Sequence, residues 1–235
     1  MTLFKTILTT TALATTFMAA VIAPTQADQS VRRTLFVVDT SGSSTFLVEQ
    51  YFADQAADYV HGYILGLKPP HDLRMISVGN EGFHKSPINV RGKVTKRRAS
   101  SPKRVAPQFA GYFRSLPTLA KQGVVQADGM TSLTAFFESL EPICSSAPSR
   151  VIVFSDGVQW DSQIDGRQFI AGKVKLSKPI GTPLTGCHVE MLGVGQLKIS
   201  QASDGLAARL IPQWKVWLEE AGATSVRVVG KLFAF

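Results

Sequence analysis

Two uninterrupted apolar runs, each followed within two residues by a carboxylate, constrain this chain more than any other feature. The first is Phe36-Val-Val38, closed by Asp39 and then Thr40-Ser-Gly-Ser-Ser44. The second is Val151-Ile-Val-Phe154, closed by Ser155-Asp-Gly157. A run without polar alternation suits a strand covered on both faces, the condition of a parallel sheet enclosed by helices. Each run therefore reads as a buried strand whose C-terminal end hands oxygen-bearing side chains to a loop.

The rest of the chain fits that reading. Strand one covers Thr34 to Asp39. Phe46, Leu47, Tyr51, Phe52, Ala56, Tyr59, Val60, Tyr63, Ile64 and Leu67 recur at three- and four-residue steps and predict one long helix, ended by Gly66 and Pro69-Pro70. Asp72 to Gly79 predicts a second strand, and Ile88 to Lys96 a weaker alternating one suited to a sheet edge. Helical stretches follow around 107–122 and 132–140, then a buried strand over 150–155. The polar, glycine-containing segment 158–186 reads mainly as a long loop, with a short helix or hairpin. A strand over 188–194 precedes an amphipathic helix built on Leu206, Leu210, Trp214, Trp217, Leu218 and Ala221, with Gly222 placed to end it. Ser225 to Val229 closes the sheet. Strand-length runs alternating with helical periods give an α/β fold, doubly wound, with a mostly parallel central sheet and helices on both faces.

The first 27 residues are of another kind. Lys5 is their only charge, a Thr/Ala-rich apolar stretch runs from Ile7 to Ala23, and Thr25-Gln-Ala27 offers small residues for cleavage. This is the pattern of a secretory signal. A membrane anchor is the rival, but the stretch is interrupted by five threonines and falls short of the roughly 20 apolar residues that span a bilayer. The expected organisation is a leader over 1–27 and one domain over 28–235, placing the mature chain in a periplasm or outside the cell. In such an oxidising compartment Cys144 and Cys187 are expected to form a disulfide, against the alternative of two buried thiols. Two cysteines are too few for the usual zinc site.

The formal net charge is +8. Much of it gathers in Arg91, Lys93, Lys96, Arg97, Arg98, Lys103 and Arg104, with no acidic residue between them. Either this is a solvated hairpin whose charges protect a sheet edge, or it is an anion-binding patch for an envelope polymer or surface that acts without metal.

The oxygen-bearing strand ends hold the chemistry. In open parallel sheets ligands collect beyond the carboxyl ends of the strands, where strand order reverses. Asp39 and Asp156 end two strands that can flank such a crevice, and a divalent cation between them removes their mutual repulsion. Mg²⁺ or Mn²⁺ prefers hard oxygen ligands. Ser41 and Ser43 lie two residues apart with Gly42 allowing a bend, and Thr131, in Asp128-Gly-Met-Thr-Ser-Leu133, adds a third hydroxyl. The bland alternative is helix capping, which explains one serine but not the distant pair.

The set Asp39-Thr-Ser-Gly-Ser43, Thr131 and Asp156 resembles the metal-ion-dependent adhesion site of the von Willebrand factor A domain family. The resemblance covers nearly all of the chain after residue 27 once strand order is included. It implies a Rossmann-like sheet and Mg²⁺ or Mn²⁺ at the site. It implies Ser41, Ser43 and Thr131 as inner ligands and Asp39 and Asp156 as supports acting mostly through water. It also implies a protein partner that supplies an acidic residue to the open coordination position. The chain departs from the family at Gly129-Met130, where two glycines are common before the threonine.

Catalytic readings fit less well. Val37-Val-Asp-Thr-Ser-Gly-Ser43 looks superficially like the loops of aspartic proteases, but Ser41 separates the threonine from the glycine, and those enzymes are all-β. No Gly-x-Ser-x-Gly elbow surrounds Ser41, no phosphate-binding glycine loop is present, and His61, His71, His84 and His188 have no triad or zinc spacing. The expectation is a binding module and not an enzyme, with nucleic acid an unfavoured partner.

Overall fold

The computed structural model describes residues 32–79, 87–197 and 205–231. The expected leader, residues 1–27, lies outside them, as does His84.

Among the described residues six strands form one sheet: β1 (Arg33–Asp39), β2 (His71–Val78), β3 (Asn89–Val94), β4 (Ser149–Phe154), β5 (Cys187–Leu192) and β6 (Ser225–Val229). Their order is β3-β2-β1-β4-β5-β6, parallel throughout except for β3, which runs antiparallel to β2. The α-helices among the described residues are α1 (Thr45–Val48), α2 (Gln50–Leu65), α3 (Pro102–Lys121), α4 (Leu133–Glu138), α5 (Glu141–Ser146), α6 (Gly166–Ile170) and α7 (Leu206–Glu220). The expected α/β architecture, doubly wound and mostly parallel, is the one observed.

The two central strands explain why the sheet is covered twice. Every residue of β4 is buried, and so is every residue of β1 after Arg33. Successive side chains of a strand point to opposite faces. Phe36 and Val38 accordingly join α1, α2 and α3 in one core, while Leu35 and Val37 join α4, α5 and α7 in the other. Burying a side chain such as Phe36 or Phe154 contributes roughly 1.5–3 kcal/mol. Neither strand can be moved to a sheet edge without exposing several of them.

The sequence pattern merges α1 and α2 into one helix, but the chain breaks at Glu49, whose φ of −111° and ψ of 118° are extended. Apolar spacing continues across the break, so periodicity cannot reveal it. The kink lets α1 bury Phe46 and Leu47 close to the end of β1, with the Phe46 ring edge-on to Phe154 at 5.8 Å between centroids. α3 also begins earlier than its apolar period, at Pro102, a residue suited to the first helical position because its missing N–H needs no partner there. A short α5 follows α4, where the sequence suggests no separate helix. Segment 158–186 is largely irregular, with α6 inside it.

Two devices fix the end of the sheet where β1, β4 and β5 begin. Cys144 of α5 and Cys187 of β5 form the expected disulfide. Gly186 has a φ of +91°, and a Cβ there would meet the Cys144 carbonyl oxygen at 2.5 Å, so only glycine admits this approach. Nearby, Glu190 of β5 accepts from Arg150 of β4, from Arg227 of β6 at 3.1 Å and from Tyr59 of α2 at 2.8 Å. Buried charge is tolerated when it is paired in this way.

Candidate functional site

Asp39 is the last residue of β1, and Asp156 lies two residues past β4. These adjacent parallel strands are where the order of sheet assembly reverses, so their connections depart toward opposite faces and leave a crevice. Both carboxylates are fully buried.

Asp39 is held through both oxygens. Its Oδ1 accepts from the Ser41 amide at 2.8 Å and from the Thr131 hydroxyl at 3.4 Å, and its Oδ2 accepts from the Ser155 hydroxyl at 2.6 Å. The hydroxyls of Ser41 and Ser43 are 3.1 Å apart. Asp156 accepts at Oδ1 from the Val158 amide at 2.8 Å, whereas its buried Oδ2 has no hydrogen-bond partner in the protein. All five residues singled out in the sequence, Asp39, Ser41, Ser43, Thr131 and Asp156, therefore belong to one cluster.

Burial dominates the electrostatics of this pair. It raises the Asp39 carboxyl above its ordinary value, opposed first by the Ser155 hydroxyl and then by donation from Ser41 and Thr131. Asp156 is pushed up to about 7, by burial first and the Asp39 charge second, with Ser43 and the Val158 amide offsetting part of it. Two buried acids repel each other here without a cation beside them.

Three residues that sequence reasoning missed hold the cluster together. Ser155 donates to Asp39 while accepting from the Gly157 amide at 2.9 Å, and its place just before Asp156 was the available signal. Asp128 locks the threonine loop against the serine loop: its amide donates to the Thr40 carbonyl, its carbonyl accepts from the Gly42 amide, and its Oδ2 accepts from the Thr40 hydroxyl at 3.0 Å. Gln159 is buried, and its Oε1 accepts from the Leu133 and Thr134 amides at 2.9 and 3.2 Å, replacing the side-chain cap that Ser132 does not supply to α4. No spacing rule finds it, because it caps a helix 26 residues earlier.

The chain turns at Gly42 as expected, the Ser44 amide donating to the Ser41 carbonyl at 3.0 Å, but the turn does not require glycine. Its φ is not positive, and a Cβ there would make an ordinary 3.5 Å contact with the Asp128 carbonyl oxygen. Met130 sits half-buried on the wall and leaves Thr131 buried with its hydroxyl directed at Asp39. Thr131 and Trp160 exchange backbone hydrogen bonds of 2.8 and 3.0 Å, tying the threonine loop to the loop after β4. A cleft of about 480 Å³ opens over the cluster, its walls including Ser41, Ser43, Met130, Thr131, Trp160 and Arg167.

Among the described residues no group of three or more His, Cys, Asp or Glu side chains is placed to hold a metal. The donor set is instead two carboxylates with neutral hydroxyls, all hard oxygen, which fits Mg²⁺ or Mn²⁺ and not a soft or imidazole-seeking metal. The unpartnered Asp156 Oδ2 is the observation that favours a cation over a closed hydrogen-bond network.

The basic segment lies elsewhere. Arg91 and Lys93 are on β3, the sheet edge; Lys96, Arg97 and Arg98 follow at a 3-10 turn (Arg98–Ser100); Lys103 and Arg104 open α3. All seven are exposed, and Lys93 pairs with Asp72 at 3.3 Å. His71 bonds the Thr34 hydroxyl at 2.8 Å and His188 bonds Ser225 at 2.9 Å, neither within the cluster. The aspartic-protease resemblance of the Asp39 loop fails on the fold, since Asp39 ends a parallel strand and leads into a helix.

No protein-family model matches the chain, and neither does any curated protein. Among solved structures it is similar to a von Willebrand factor type A protein from Catenulispora acidiphila, at 16% identity over 82% of this chain, with a TM-score of 0.38. This chain spans less than half of that protein, the similarity covering 42% of it.

Proposed function

We propose that this chain is a von Willebrand A-type binding module, secreted or periplasmic, that holds Mg²⁺ or Mn²⁺ at the Asp39 cluster and engages an acidic residue of a protein partner. The observation that carries the reading is the second oxygen of Asp156, buried beside another carboxylate with no donor of its own. Ser41, Ser43 and Thr131 are the inner ligands, and Asp39 and Asp156 support them. The bound ion supplies a positive centre that accepts a carboxylate oxygen from outside.

The protein's own groups prepare that centre. Ser155 and the Ser41 amide hold the two oxygens of Asp39, so the carboxylate keeps its orientation. Neutral hydroxyls as inner ligands leave net positive charge facing the cleft, which favours an anionic partner group. Binding and not catalysis is the role proposed. The Cys144–Cys187 disulfide supports an oxidising location, and no helix among the described residues is long and apolar enough to cross a membrane.

Calorimetry of Mg²⁺ and Mn²⁺ binding to wild type and to Asp39→Ala tests the metal. Heat in the wild type alone is expected, and its absence from both rejects the reading. A pull-down from the native envelope with Mg²⁺ or with chelator tests the partner, which should be retained only with the metal.

A further inference from the structure

The sheet ends in β3, and the direction of its backbone groups follows from two hydrogen bonds. The Ser77 amide donates to the Ile88 carbonyl across the β2–β3 pair, at 3.3 Å. The Asp72 amide donates the other way, to Arg32 beside β1, at 2.8 Å. In an antiparallel pair, residues alternate between bonding the neighbour and facing away. Val90, Gly92 and Val94 therefore bond β2, and the N–H and C=O groups of Asn89, Arg91 and Lys93 face outward. Among the described residues no backbone hydrogen bond reaches those three from the outer side.

Their side chains share one exposed face. Arg91 sits directly across from Arg74, a like-charged pair that weakens strand pairing, and the side-chain oxygen of Asn89 accepts from Arg74 Nε at 3.1 Å. The opposite face of β3 is apolar and covered: Val94 is buried, and a Cβ on Gly92 would meet the Phe109 ring of α3 at 2.5 Å. Lys96, Arg97 and Arg98 extend the positive strip beyond the strand. One lysine is enough to discourage edge pairing. Facing guanidinium groups followed by a run of cations go further, and they repel a second copy of the same edge.

We propose that β3 is a docking edge for an extended acidic segment of another protein, which adds as a seventh strand beside Asn89, Arg91 and Lys93. Main-chain hydrogen bonds give such a complex its affinity, and side-chain pairing gives it selectivity. The incoming strand places acidic residues on the Arg91 and Lys93 face and apolar ones on the face toward α3, so its sequence alternates. This surface is separate from the Asp39 cluster and does not depend on a metal.

The test uses the intact protein and a blocked peptide in which glutamate alternates with valine, titrated at low salt in the presence of EDTA. Saturable binding is expected, weakened about tenfold by Arg91→Glu or Lys93→Glu and further by added salt. In wild type, hydrogen exchange followed by NMR should slow at the amides of Asn89, Arg91 and Lys93 on peptide addition. Absence of binding overturns the proposal, and so does binding without that protection. Equal affinity for polyphosphate or for phosphatidylglycerol vesicles also overturns it, leaving a surface that reads charge alone. Failure of the metal titration leaves this result untouched, because EDTA is present throughout.

Discussion

Replacing Asp156 by asparagine should make the metal-free protein more stable in mild alkali and less stable in acid. Asp156 is fully buried, and its carboxyl is raised from 3.8 to about 7, by burial first and by the Asp39 charge second. Between about pH 4 and 7 the folded protein keeps this proton while the unfolded chain has lost it. The unfolded state then binds fewer protons, and stability falls as pH rises through that window. At about 1.4 kcal/mol per unit, the loss over roughly three units is about 4 kcal/mol. The replacement amide cannot ionise and keeps an oxygen for the Val158 N–H, but it sets an NH₂ where Oδ2 has no partner, costing about 1–3 kcal/mol. The variant should therefore exceed wild type by about 1–3 kcal/mol at about pH 8 in EDTA and fall below it by about 1–3 kcal/mol at about pH 3, where the carboxyl is protonated in the folded state and largely so in the unfolded one. Urea unfolding at both pH values measures this. Parallel pH profiles for the two proteins would refute the electrostatic reasoning. Saturating Mg²⁺ should reverse the order at about pH 8, because a roughly 1,000-fold excess over the wild-type Kd adds about 4 kcal/mol to the protein that binds it.

Changing both Cys144 and Cys187 to serine should lower stability by about 3–4 kcal/mol, the loop-closure value for their 43-residue separation, measured by urea unfolding against oxidised wild type. Gln159→Ala removes the acceptor of the Leu133 and Thr134 amides and should cost about 1–3 kcal/mol while weakening Mg²⁺ binding through Thr131, followed by unfolding and calorimetry. Glu190→Gln leaves Arg150 buried without its counter-charge and should cost about 3–5 kcal/mol with no change in metal affinity, which separates the two ends of the sheet.

The sheet was legible because its strands announce themselves physically. Phe36 to Val38 and Val151 to Phe154 are apolar without alternation, and only a strand covered on both sides tolerates that. Asp39, Ser41, Ser43 and Asp156 were legible for a related reason: short polar side chains at or just past the end of such a strand face the crevice, whereas Thr131 precedes α4 and was marked only by the resemblance. What stayed hidden depends on contacts between remote segments. The break at Glu49 is invisible because apolar spacing is maintained across it, and Gln159 caps a helix that precedes it in the chain. Asp128 shows the same limit. It stood in the threonine segment, but its grip on Thr40 and Gly42 exists only once the two loops meet.

The pairing of Cys144 with Cys187 has a mechanical consequence. It staples the C-terminal end of the α4–α5 segment to the sheet, while Gln159 clasps its N-terminal end beside Thr131. A helical segment held at both ends resists sliding along its length. If the proposed partner pulls on the threonine loop, this double anchorage opposes a shift of the segment behind it.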